Sequence, residues 1–101
     1  MNILFDVDDT LIVQQNHEDF PNHPIVETLV ALAKNGHSCY VASGGGIPYA
    51  QQWVRRLNLE DYVTAVVPKY VKLPFLIDLS FDDQSVEFGR VNCQVANRRK
   101  E

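Results

Sequence analysis

The densest chemistry in the chain lies at its start, where Asp6, Asp8 and Asp9 stand in Ile3-Leu4-Phe5-Asp6-Val7-Asp8-Asp9-Thr10-Leu11. An apolar run that ends in carboxylates reads as a buried strand with a polar C-terminal end. Three more polar groups follow: Ser43-Gly44-Gly45-Gly46, the lysines Lys69 and Lys72, and Asp82-Asp83. Acids gathered from separate strand ends make a costly like-charge site, since two carboxylates ~4 Å apart repel by about 4 kcal/mol at an effective dielectric of 20. A bound cation or a shared proton must offset that repulsion. An all-oxygen, carboxylate-rich site suits Mg²⁺, which takes one or two carboxylates, keeps waters and binds substrate phosphate. Zinc is disfavoured because neither His nor Cys accompanies the acids. The glycines after Ser43 let backbone N–H groups approach an anion, and a helix starting at Ile47 points its positive end there. A phosphoryl group is the natural guest.

These clusters meet only if the intervening segments bring them together. After the first strand, Gln14 to His23 is polar and carries Pro21, so it reads as a loop leading to a helix that starts near Pro24. Ile25, Leu29, Leu32 and Ala33 keep helical spacing, and Asn35-Gly36 supplies a stop. His37 to Ala42 predicts a second strand and Ile47 to Leu57 a second helix, with Ala50, Val54 and Leu57 on one face and Trp53 at the core's edge. Tyr62 to Val67 predicts a third strand, Phe75 to Phe81 a fourth and Val91 to Val95 a fifth at one edge, with Pro68 to Pro74 as a connector. The alternation argues for an α/β fold: a three-layer, Rossmann-like domain with a mainly parallel sheet of about five strands and ligands beyond the strands' carboxyl ends.

Composition bounds the rest. With 101 residues, 46% of them hydrophobic, the chain fits one domain over 1–101, in which about 97–101 reads as a flexible tail. The formal charge of −4, with the bases scattered except for Arg98-Arg99-Lys100, does not favour nucleic acid as a partner. Cys39 and Cys93 stand among apolar residues and read as buried, reduced thiols. No signal peptide or membrane-length apolar run is evident, so a cytoplasmic location is the expectation. His17, His23 and His37 read as surface or structural.

Taken together, these motifs resemble those of the haloacid dehalogenase (HAD) superfamily of phosphohydrolases. The first motif, an apolar strand followed by Asp-x-Asp-x-Thr, is matched by Asp6-Val7-Asp8-Asp9-Thr10. Tyr40-Val41-Ala42-Ser43 is similar to the second, Lys69 or Lys72 to the third, and Leu79-Ser80-Phe81-Asp82-Asp83 to the fourth. The resemblance implies that Asp6 attacks phosphorus and becomes an aspartyl phosphate, while Asp8 protonates the leaving oxygen and later activates water. It implies Mg²⁺ held by Asp6, the backbone carbonyl of Asp8 and Asp82, with Asp83 as an added candidate. Thr10, Ser43, Gly44 and one lysine would hold the phosphoryl group or its loop. Lys72 lies closer to the fourth strand and is preferred, with Lys69 as the alternative. Asp78 falls inside that strand and reads as an edge or structural acid; Asp9 reads as a loop residue.

An acid two residues after the nucleophile goes, in this superfamily, with phosphate transfer rather than dehalogenation. Only 32 residues separate Thr10 from Ser43, and 25 separate Ser43 from Lys69, so no cap domain fits in either interval. An uncapped member would take a phosphorylated substrate in an open site, a macromolecular one included, or have a partner that closes it. Substrate and oligomeric state are not encoded in the motifs. Two rival classes share the acids. A receiver-type signalling domain places its phosphoacceptor on a later, central strand, unlike Asp6, and a binding domain that lost catalysis need not keep Asp6, Asp8, Ser43 and Asp82 together.

Overall fold

In the computed structural model, which describes residues 1–96, the first strand takes the centre of a five-stranded parallel sheet. β1 (Asn2–Asp6) is buried from Ile3 to Asp6 because both of its faces are covered, which is why its sequence is a continuous apolar run rather than an alternation. Two further strands, β2 (Ile12–Gln15) and β3 (Glu18–Pro21), form a separate antiparallel hairpin. Then come α1 (His23–Lys34), β4 (Ser38–Ala42), α2 (Ile47–Arg56), β5 (Ala65–Val66), β6 (Ile77–Asp82) and β7 (Gly89–Gln94). The sheet order is β5-β4-β1-β6-β7. The chain thus builds outward from β1 to β5, returns past β1 and continues outward on the other side. That reversal between β1 and β6 opens a crevice beyond their carboxyl ends. The register sets Asp6 beside Ala42 and Phe5 beside Phe81, so Asp6, Ser43 and Asp82 leave the sheet at one edge.

Both helices cover the same face. Leu29 from α1 and Ala50, Trp53 and Val54 from α2 share a core with Ile3, Phe5, Cys39 and Val41, the alternate residues of β1 and β4. Pro24 starts α1 where its missing N–H costs no bond, and Gly36, at φ +87°, takes the left-handed turn that releases the chain into β4. Phe5 stacks on Phe81 with ring centroids 4.9 Å apart. Fully burying a side chain of this kind contributes about 1.5–3 kcal/mol, so this face carries most of the fold's apolar stabilisation. The third layer is made of connectors rather than helices: Leu4, Ala42 and Ile77 are covered by Val67, Leu73, Phe75 and Phe88. A groove of about 480 Å³ remains there, and Tyr70, Val71 and Leu76 stay exposed beside it.

The structure departs from the sequence expectation at several points. The stretch read as a loop from Gln14 contains most of the β2–β3 hairpin, turned by Asn16 and His17, both at positive φ. Asn and His tolerate that conformation better than most residues, and two successive positive φ values suit the twist of a hairpin. Every side chain of β3 is exposed, so no apolar alternation signals it. The third strand shortens to Ala65–Val66, because Tyr62 and Val63 form a turn whose N–H groups donate to the Leu59 carbonyl. Phe75 precedes β6 rather than joining it and stacks on Tyr40, with centroids 4.6 Å apart. Cys39 is buried as expected, but Cys93 is exposed, because no helix covers the outer strand β7. Asp78 has the structural part foreseen for it and accepts the Asn2 backbone N–H at 2.8 Å. The expected tail at 97–101, with Arg98, Arg99 and Lys100, lies outside the described residues. Among the described residues no helix is long and apolar enough to cross a membrane.

Candidate active site

Asp6 ends β1 and Asp82 ends β6, and since these strands are adjacent and parallel their carboxylates converge beyond the sheet. Asp83 follows directly. One carboxylate oxygen from each of Asp6, Asp82 and Asp83 lies within 4.8 Å of the others. Lys69, from the connector after β5, places Nζ 2.9 Å from Asp6 Oδ1 and 3.0 Å from Asp82 Oδ2. Its side chain is 7% exposed, so this is a buried ionic group rather than a surface pair. Thr10 Oγ1 donates to Asp6 Oδ2 at 3.2 Å, and the N–H groups of Thr10, Leu11 and Ile12 all converge on the Val7 carbonyl. That tight turn fixes the loop leaving β1. Asp82 Oδ1 accepts the Gln84 N–H at 3.0 Å, which fixes the fourth-motif loop in the same way.

Burial raises the Asp6 carboxyl to about 7; the Lys69 hydrogen bond opposes this, whereas the neighbouring Asp82 charge reinforces it. Asp83 is raised too, by burial first and then by Asp82, while hydrogen bonding with Asp6 counters the rise. Lys69 is itself raised: burial alone would lower it, but its hydrogen bonds to Asp6 and Asp82 outweigh that. It remains charged and bonded.

Asp8 stands apart from this buried group. It is exposed, and Tyr49 Oη donates to its Oδ1 at 2.6 Å. Burial and this bond to Asp8 push the Tyr49 hydroxyl up to about 12. A cleft of about 300 Å³ opens beside Asp8, lined by Asp8, Asp9, Ile12, Gln14, Asp19 and Tyr49. The β2–β3 hairpin thus forms one wall of the site.

Ser43 is buried at the end of β4. Its Oγ accepts the Gly45 N–H at 3.0 Å, and its carbonyl accepts the Gly46 N–H at 3.1 Å. Gly46, at φ +100°, turns the chain into α2, a conformation that a side chain would strain. Gly44 is exposed between them.

A family model described as haloacid dehalogenase-like hydrolase matches residues 3–71, more than half of the chain. The chain belongs to that family. No curated protein and no solved structure matches it. The family match covers Asp6, Asp8, Thr10, Ser43 and Lys69, and the parallel pairing of β1 with β6 adds Asp82 from beyond its end. Of the two HAD lysine candidates, the fold brings Lys69 to the acids and leaves Lys72 exposed, which corrects the preference drawn from spacing. Tyr70 takes φ +62° immediately after Lys69 and turns the connector away, so Val71 and Lys72 face outward.

HAD-like hydrolases generally use Mg²⁺, and the donor set here fits that ion: three carboxylates, all oxygen, two of them paired with one lysine. If all three acids are ionised the group carries two uncompensated negative charges, which a divalent cation offsets. His17 and His23 are exposed, in keeping with their reading as surface residues. Tyr49 is the site residue that motif reading missed. Its signal was positional, since it is the third residue of the helix leaving the glycine turn.

Proposed function

We propose that this HAD-like hydrolase is a Mg²⁺-dependent phosphohydrolase that works through an aspartyl phosphate on Asp6, with Asp8 as general acid and base. The observation that carries the reading is the split environment of the first motif: Asp6 buried among Asp82, Asp83 and Lys69, and Asp8 exposed beside an open cleft. Carboxylates in unlike surroundings take unlike roles.

Asp6, Asp82 and the Asp8 backbone carbonyl would hold Mg²⁺, with Asp83 beside them; when bound, the ion neutralises charge between nucleophile and phosphate. Asp6 attacks phosphorus through a carboxylate oxygen. As the bond from phosphorus to the leaving oxygen breaks, its electron pair passes to that oxygen, which takes a proton from Asp8. The carboxylate thus formed on Asp8 then removes a proton from water, whose oxygen displaces Asp6 from phosphorus. Lys69 balances the charge on Asp6 and reaches a phosphoryl oxygen, while Ser43 and the N–H groups of its turn bind the others. Thr10 keeps Asp6 in place. The substrate is a phosphorylated molecule that an uncapped site admits, large ones included.

A screen with Mg²⁺ over phosphorylated metabolites, phosphopeptides and end-phosphorylated oligonucleotides tests the proposal, with Asp6→Asn as control. The expected result is turnover that falls by at least about 10³-fold in Asp6→Asn while the variant stays folded, since loss of a nucleophile removes the covalent route. Equal activity in wild type and variant would overturn it.

A further inference from the structure

We propose that Tyr49 is a positioning residue that holds Asp8 in the orientation for proton transfer to the leaving group. The inference rests on the role proposed above for Asp8. It is carried by three features of the site. The Tyr49 hydroxyl donates to Asp8 Oδ1 at 2.6 Å, a short bond across 41 residues of sequence. Asp8 is otherwise an exposed side chain, free to change rotamer, and an acid must stand within hydrogen-bond reach of the oxygen it protonates. With Oδ1 engaged by Tyr49, Oδ2 is the oxygen left to exchange a proton with substrate.

The glycine turn makes room for this contact. A β-carbon at residue 45 would lie 3.0 Å from Tyr49 Cδ2 and 3.2 Å from Cγ, tighter than most side-chain contacts, so the ring would have to give. Gly45 therefore serves the ring as well as the backbone. Tyr49 and Asp8 also line the same cleft of about 300 Å³, together with Gln14 and Asp19 of the hairpin. The leaving group has space there, next to the acid.

The test compares wild type, Tyr49→Phe, Asp8→Asn and the double variant on an alkyl phosphate and on p-nitrophenyl phosphate, whose leaving oxygen needs no proton. The readout is kcat/KM, which reports the step that breaks the ester bond. Tyr49→Phe removes one oxygen and keeps the ring, so the fold is retained. It is expected to lower kcat/KM for the alkyl ester about tenfold, part of the 10²–10⁴-fold that general acid catalysis supplies, and by a much smaller factor for the aryl ester. Added to Asp8→Asn, it should cost nothing further. Equal losses on both esters, or additive losses in the double variant, would overturn the positioning role while leaving the phosphohydrolase reading intact. Full activity in Asp6→Asn, or no turnover of any ester by wild type, would overturn that reading and this inference with it.

Discussion

Replacing Lys69 by Met removes the cation that joins two buried carboxylates and replaces it with an apolar chain of similar length. Lys69 Nζ lies 2.9 Å from Asp6 and 3.0 Å from Asp82, and the three side chains are 7%, 6% and 3% exposed. Removing one partner of such a buried group leaves uncompensated charge and costs about 3–5 kcal/mol. An independent figure agrees: two carboxylates 4.8 Å apart, the outer limit for this cluster, repel by about 3.5 kcal/mol at an effective dielectric of 20. Protonation limits the loss, however. Asp6 already titrates at about 7 with the lysine present, and without it the carboxyl rises further. A raised carboxyl contributes stability at low pH that is lost as pH rises, so the variant's deficit should be about 1–2 kcal/mol near pH 5.5, the worth of the lost hydrogen bonds, and reach about 3–5 kcal/mol at pH 8. Urea unfolding in EDTA at the two pH values measures it. Lys72→Met, at an exposed position, should stay within about 0.5 kcal/mol of wild type at both. Equal losses in the two variants, or a Lys69→Met deficit independent of pH, would refute the placement of Lys69 as the charge partner of these acids.

Three further outcomes follow from the same geometry. Because Asp6 must lose a proton to bind a cation, Mg²⁺ should bind up to about tenfold more weakly at pH 6 than at pH 8, with proton release visible by calorimetry in buffers of different ionisation enthalpy. Without metal, the rise of Asp6 from an ordinary 3.8 to about 7 makes the folded chain lose up to about 4 kcal/mol as pH climbs from 4 through 7; Asp6→Asn should flatten that slope in thermal melts. In the core, Leu29→Ala should cost about 2–5 kcal/mol, whereas Leu76→Ala, 80% exposed beside the groove, should cost under about 0.5 kcal/mol by urea unfolding.

What the sequence disclosed followed from how many constraints each residue obeys. Ile3 to Phe5 must satisfy burial on both faces, so the central strand was plain, and Asp6 at its end inherits that certainty of place. Leu29 and Ala50 repeat at helical spacing because one face of each helix packs on the sheet. The β2–β3 hairpin obeys no such constraint. Its exposed residues mix Phe20 with Glu18 and Asp19, and its turn is Asn16-His17 rather than a glycine pair, so periodicity could not mark it. Lys69 and Lys72 stand in similar local sequence, and what separates them is one left-handed residue, Tyr70, whose ring lies 5.7 Å from that of Phe88. Choices made by tertiary contact are the ones that composition and spacing leave open.

The two faces of the sheet explain why the site divides as it does. On the helical side, α2 begins at the glycine turn and carries Tyr49 toward Asp8, so the exposed acid is controlled by an element with a packed core behind it. On the other side no helix intervenes between β5 and β6, and the connector that replaces it delivers Lys69 directly into the acids. The cation's position therefore depends on a segment whose covering residues, Val67, Leu73 and Phe75, are only partly buried, whereas the acid's partner rests on Ala50, Trp53 and Val54. Local opening follows low burial and sparse contact. Amide hydrogen exchange should accordingly be faster in 67–76 than in α2, and loading Mg²⁺ onto the carboxylates that hold Lys69 should change protection in 67–76 more than in α2. Equal protection of both segments, unchanged by Mg²⁺, would show that the connector is as firmly fixed as the helix and that Lys69 does not couple it to the acids.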